Sequence, residues 1–331
     1  MTLPKLTQPL VFEPIFMERV WGGRRLESFY GKRLPPAALI GESWEIVDRP
    51  EAQSVVHDGP LRGKTLNQLW INNRPEIFGI GKEDFGESPK SARESRALPK
   101  RFPILCKLLD AQENLSLQVH PPPELAKELG GEPKSEFWYV ADTAPKSELF
   151  AGLKKGTTRA AFEKAIKDGS VEKHVYSIGL SAGDSIFLPS GRLHALGGGN
   201  LIVEIQQNSD TTYRVWDWER AKRGRAARKM HIEEAMRSID FSDYEPALLK
   251  PKGESLVRHE LFQVDKWILK EERELVPDGA FAIVVCLSGV LNCGGRQFKA
   301  GDFFLLPAKL EDRIVRPGSE EVALLRVTLP S

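Results

Sequence analysis

The sequence predicts a mainly β protein made of two jelly-roll barrels in tandem, with only a few short helices. Three observations predict this. Gly (28) and Pro (23) are scattered through all 331 residues, the punctuation of many short strands joined by turns. Alternation with a period of two recurs along the chain, whereas sustained helical periodicity does not. A pattern of turn, apolar strand and closing proline occurs twice.

Four short helices are expected. Residues 65–78 carry Leu66, Leu69, Trp70 and Ile77 at helical spacing. Residues 124–129 are entered from a run of three prolines, 121–123. Residues 158–167 read as a capped helix with Phe162, Ala165 and Ile166 on one face. Residues 232–239 form the last. Strands are expected at 102–109, 137–140, 185–188, 201–206 and 213–218. The clearest covers 115–120, where Leu115, Leu117 and Val119 take one face and Ser116, Gln118 and His120 the other. Residues 81–101 are polar, of mixed charge and rich in breakers, and read as a loop.

The repeated pattern is Ala182-Gly183-Asp184-Ser185-Ile186-Phe187-Leu188-Pro189 and Ala300-Gly301-Asp302-Phe303-Phe304-Leu305-Leu306-Pro307. Such units fit jelly rolls of the cupin kind. The copies differ where chemistry would sit: His194 follows Pro189 by five residues, and Asp312 holds the matching place after Pro307. The last histidine is His259. The expectation is a catalytic barrel with helical insertions over 1–240 and a C-terminal barrel without metal ligands over 241–331.

Composition narrows the class. Hydrophobic residues make up 41% and charged residues 28%, an ordinary globular balance. A chain this long buries a core without metal or disulfide, so a metal would serve function. A net charge of +1 offers no field for nucleic acid or membrane. Cys106, Cys286 and Cys293 include no C-x-x-C pair, which points to a reducing compartment. No apolar leader occupies residues 1–20 and no run approaches a membrane span. The expected location is the cytoplasm.

Three constellations carry candidate chemistry. Gln118 and His120 are two apart on a strand and point the same way, and Pro121 ends that strand at a barrel mouth. Glu136 begins the next strand, and His194 follows another. Singly, a His or Gln at a strand end is more often a hydrogen-bonding residue. Together, two imidazoles, a carboxylate and an amide oxygen suit Zn²⁺ with a position left open. Of six histidines, only His120 and His194 stand in such contexts; His174, His231 and His259 read as solvated. The polar run 206–212 leads into Arg214, flanked by aromatics. Such a run is costly inside a barrel unless it binds something. Arg214 then reads as an anion or enediolate partner, or as a guanidinium stacked on Trp216 or Trp218.

The segments LSLQVHP, PKSEFWYVAD, PSGRLHALGGG and EIQQNSDTTYRVWDWER resemble type I mannose-6-phosphate isomerases of the short bacterial form. The resemblance runs from Val20-Trp21-Gly22-Gly23 through Gly41-Glu42-Ser43-Trp44-Glu45 to Ile239 and weakens beyond. It implies one zinc per chain on Gln118, His120, Glu136 and His194. It implies Arg214 and Lys134 as catalytic residues, and Ser116 and Lys107 as substrate-binding residues holding the phosphate. It implies reversible isomerisation of mannose 6-phosphate and fructose 6-phosphate through a cis-enediol. The base stays open among Lys134, a metal-bound water and a histidine. Longer members carry a large helical domain, of which only residues 65–78 remain here, so the pocket should be more open. The basic run 220–229 reads as a solvated loop, since nothing in it fits nucleic-acid readout. Two rivals remain: a sugar-phosphate-binding cupin without turnover, and an isomerase for another hexose phosphate. A coupled assay separates the first and relative rates on several sugar phosphates the second.

Overall fold

The computed structural model describes residues 3–80, 100–218, 224 and 228–330. Almost all of the polar stretch 81–101 and most of the basic run 220–229 lie outside them.

The chain forms two compact units, residues 16–43 with 106–250, and residues 1–15 with 44–105 and 251–331. No single cut in the sequence separates them. Residues 1–15 and 44–105, expected with the catalytic barrel, belong with the C-terminal strands. Leu10 and Leu305 exchange backbone hydrogen bonds at 2.8 and 2.9 Å. Ala308 donates to the Ile77 carbonyl at 2.9 Å. Trp70, Phe78, Phe102 and Phe281 stack edge-to-face or tilted, with Phe78 and Phe281 centroids 5.3 Å apart.

The unit containing 106–250 is built on two sheets. One orders its strands Ile15–Gly23, Ile40–Ile46, Ile104–Ala111, Asn200–Gln207, Glu136–Thr143 and Ser185–Leu188. The other runs Tyr213–Trp216, Leu117–Val119, His194–Leu196, Glu148–Leu153 and Val175–Gly179. In the other unit, a five-stranded sheet (Ser255–Arg258, Gln263–Leu269, Val322–Thr328, Ala282–Ser288, Phe303–Leu306) accompanies a four-stranded one (Arg273–Glu274, Ile314–Pro317, Val290–Cys293, Arg296–Lys299). This is the tandem jelly-roll architecture.

The sequence repeat is a structural repeat. Gly183 and Gly301 take φ of 94° and 84°, a turn that disfavours a side chain. Their amides donate to the carbonyls of Val140 and Cys286 at 2.8 and 2.9 Å. The carboxylates of Asp184 and Asp302 accept from the amides of Ser181 and Lys299 at 2.7 and 2.8 Å. Asp312, in the place of His194, is instead paired to Arg316 and accepts from the Ile314 amide.

The helices follow their local signals. Thr65 and Gln68 form a reciprocal capping box at Leu66–Asn72. The helix expected over 65–78 is two, broken at Asn73 (φ −134°) before Arg74–Phe78. Thr158 caps Arg159–Asp168, and Gly169 ends it at φ 80°. Helices at Pro123–Ala126 and Ile232–Ser238 match expectation to within a few residues. A helix at Arg25–Tyr30 has no clear periodicity and was not expected; Gly31 ends it at φ 68°.

Candidate active site

Sheet register brings the site together. Gln118 stands opposite His194 on one neighbouring strand and opposite Arg214 on the other. Residues directly opposite share a face, so the three side chains stand side by side. Leu117 and Val119 point the other way, into a core with Leu153, Phe162 and Val215. That apolar face locks the register, since a one-residue slip would bury Gln118 and expose two aliphatics. Glu136 begins the strand paired to Ser185–Leu188 and Asn200–Gln207.

His120, Glu136 and His194 are buried, and one ligand atom from each lies within 4.8 Å of the others. His120 Nε2 is 3.5 Å from Glu136 Oε1, and His194 Nε2 is 3.2 Å from Glu136 Oε2. The Gln118 amide lies 3.5 Å from His194 Nε2. Both rings are oriented from behind. His120 Nδ1–H donates to the Thr211 carbonyl at 2.7 Å, and His194 Nδ1–H to the Arg192 carbonyl at 3.0 Å. Each Nε2 therefore carries its lone pair toward a carboxylate, and acceptors facing acceptors repel unless a cation lies between them. Protonation of His120 does not supply it: burial, then the Lys134 charge, pushes its pKa down to about 3. Glu136 stays ionised; burial alone would raise it, but the Lys134 charge holds it well below the usual carboxylate range. His120 Nε2 and both Glu136 carboxylate oxygens lack a well-formed hydrogen bond among the described residues. Neutral imidazoles fixed through Nδ1, beside an anionic carboxylate, are the donor set and outer support of a divalent-cation site.

A charged chain continues from Glu136. Lys134 pairs closely with Glu136 and lies 3.7 Å from Glu204 Oε1. Burial opposes the Lys134 charge, yet Glu136 and Glu204 hold its pKa above the ordinary lysine value. Lys107 Nζ lies 3.8 Å from Glu204 and 3.4 Å from Glu42. Glu204 is buried, and burial raises its pKa to about 8 although Lys107 partly opposes this. Ser116 is buried on the Gln118 face. Lys107, Ser116, Gln118, Lys134, Glu136, Glu204 and Arg214 line one cavity of about 310 Å³, as do Arg19, Glu42, Asp210 and Arg228. That size falls at the lower end for small-molecule sites.

Several sequence readings change in detail. The polar run 206–212 largely builds the site. Gln206 donates to the carbonyls of Gln207 and Ser209, Gln207 accepts from the Ser135 amide, and the Thr211 carbonyl orients His120. Thr212 and Asp210 line the cavity. Arg214 does so too, rather than serving only to pack. His231, expected to be solvated, is half-buried. Its Nδ1 accepts from the Arg214 amide at 3.3 Å, and its amide donates to the Arg214 carbonyl at 2.8 Å. Glu204 was missed. Its signal was a single charge among Leu201, Ile202, Val203 and Ile205.

The family model of the type I phosphomannose isomerase catalytic domain matches residues 10–165. The chain is 37% identical over 316 residues to a probable mannose-6-phosphate isomerase of Bacillus subtilis, GmuF, covering 92% of this chain and 94% of that one. The chain belongs to the type I mannose-6-phosphate isomerases. The crystal structure of the Bacillus subtilis mannose 6-phosphate isomerase superposes with a TM-score of 0.81 at 32% identity, covering 97% of this chain and 100% of that one. A zinc-bound mannose 6-phosphate isomerase shares the fold at a TM-score of 0.72 and 15% identity, over 98% and 100% of the two chains. As a member of this family the chain is an isomerase acting on a sugar phosphate. Among the described residues, no helix is long and apolar enough to cross a membrane.

Proposed function

We propose that the chain catalyses the reversible isomerisation of mannose 6-phosphate and fructose 6-phosphate in the cytoplasm, using one zinc ion per chain. The observation that carries this is the convergence of two Nδ1-anchored imidazoles on Glu136, beside Gln118 and Arg214. Gln118, His120, Glu136 and His194 would hold the metal, with the amide of Gln118 turned to present its oxygen. When bound, the metal supplies a Lewis acid and template for the sugar oxygens. The catalytic role falls to the unit containing 106–250. In the C-terminal strands Asp312 stands where the first unit has His194, and it is engaged by Arg316.

The reaction moves one proton between C2 and C1, with a matching shift of the oxygen-bound proton, through a cis-enediol. Glu204 is the group in this cavity best matched to that transfer. A pKa near 8 lets it take a proton and return it at neutral pH. Lys134, paired to Glu136 and close to Glu204, places a positive charge beside the proposed metal ligands. Arg214 offers a guanidinium to negative charge developing on the enediolate. Ser116 and Lys107 orient the sugar in the cavity. Lys107 lies beside Glu42 and Glu204, and Glu42 offsets part of its charge.

The test is turnover of mannose 6-phosphate by purified protein, with fructose 6-phosphate detected by a coupled dehydrogenase. Absence of product at millimolar substrate with zinc present would refute the reading.

A further inference from the structure

Three arginines converge on the outer part of the cavity, and none is needed to hold the metal. Arg19, Arg214 and Arg228 all line it. The Arg19 and Arg228 side chains are 30% and 15% exposed, against 4% for Lys107 and 1% for Glu136. They are thus more open to solvent than the Glu136 end of the cavity. Each is tied down without being used up. Arg19 donates Nε to Glu42 Oε1 at 2.6 Å and Nη1 to the Glu18 carbonyl at 3.3 Å. Arg228 donates Nε to both Asp217 oxygens, at 2.9 and 3.0 Å, and Nη2 to the same carboxylate. Arg19 Nη2 and Arg228 Nη1 make no hydrogen bond among the described residues, and Arg214 Nε is buried without a partner there. Burial, then Arg228 and to a smaller degree Arg19, press the Arg214 pKa below the ordinary arginine value, against the pull of Asp217 and Asp210. Three like charges gathered with free N–H groups are stabilised by an anion bearing several acceptor oxygens.

Glu42 bridges the two ends: its Oε1 accepts from Arg19 and its Oε2 faces Lys107, so it offsets part of both charges. Glu18 and Asp210 also line the cavity. What distinguishes the arginines is their remaining N–H groups, which present a planar fork to an oxyanion.

We propose that Arg19 and Arg228, with Arg214 beside them, form the phosphate subsite at the outer end of the cavity. This assignment rests on the sugar-phosphate reading above, and it replaces Ser116 and Lys107 in that role. The remaining N–H groups of the guanidiniums would take the phosphate oxygens, leaving the sugar carbons toward Glu136 and Glu204.

The test uses the zinc-loaded enzyme and inorganic phosphate as a competitive inhibitor of mannose 6-phosphate turnover. Arg19→Gln and Arg228→Gln should each raise the inhibition constant of phosphate by roughly tenfold or more, the scale of one charged hydrogen bond. Each should raise KM by more than it lowers kcat. Lys107→Met should lower kcat and leave the phosphate constant unmoved. Because Arg228→Gln leaves Asp217 unpaired, the double variant Arg228→Gln/Asp217→Asn serves if the single one misfolds. An unchanged phosphate constant in both arginine variants, or a rise only in Lys107→Met, overturns the assignment. If the wild-type enzyme does not turn over mannose 6-phosphate, the functional reading fails instead. Equilibrium dialysis of labelled phosphate against wild type and the same variants then decides the subsite on its own.

Discussion

Replacing Glu204 by Gln separates the proposed proton carrier from a merely structural buried carboxyl. The substitution keeps the shape and removes the titration. Loss of a positioned base lowers rates by roughly 10²- to 10⁴-fold, about 3–5 kcal/mol of barrier. A second readout comes from stability. Burial raises the carboxyl from 4.5 to about 8. Between those values the native state holds a proton that the unfolded chain has released. Stability due to this group is therefore full below about pH 4.5 and is lost as pH rises toward 8. The shift corresponds to an upper bound of about 5 kcal/mol, with the opposing pulls of Lys107 and Lys134 already in it. Denaturant melts of metal-free wild type and Glu204→Gln at several pH values should show the wild type losing stability relative to the variant across that window. In the metal-loaded enzyme a nearby dication lowers the carboxyl's pKa, so kcat/KM should rise with pH through a limb at or below pH 8. The variant should lack that limb. Turnover within tenfold of wild type, or survival of the limb in Glu204→Gln, would refute the assignment.

Two further outcomes follow from the same geometry. Arg214→Lys keeps a charge but loses the planar fork, and kcat should fall roughly 10²- to 10³-fold in the coupled assay; a fall under fivefold would return Arg214 to a packing role. The three cysteines are buried, and burial pushes Cys286 and Cys293 up to about 12. A thiol reagent at pH 8 should therefore label the native protein slowly and the denatured protein at all three positions, and rapid labelling without denaturant would contradict this.

Much of this arrangement was legible in the sequence, and the remainder was hidden for a physical reason. Strand alternation at 115–120 put Ser116, Gln118 and His120 on one face, and Pro121 fixed where that face ends. The repeat at 182–189 and 300–307 reads directly as two equivalent turns. What local pattern could not reveal is sheet order. Glu42, Lys107 and Glu204 meet because Ile40–Ile46, Ile104–Ala111 and Asn200–Gln207 are adjacent strands, although the first and last are about 160 residues apart along the chain. The two units alternate along the sequence for a similar reason, since residues 1–15 and 44–105 group with 251–331. The polar run 206–212 finds partners within the protein: the Gln206 amide donates to two carbonyls, the Gln207 side-chain oxygen accepts from the Ser135 amide, and the Thr211 carbonyl accepts from His120.

A cation held between His120, Glu136 and His194 is the centre of the proposed chemistry. Zinc content per chain, measured on purified wild type, His120→Ala and His194→Ala, tests it most directly. The expected values are close to one for wild type and close to zero for both variants, with isomerase turnover lost in step and the variants still folded. Full zinc retention in both variants, or undiminished turnover in a zinc-free wild type, would contradict it.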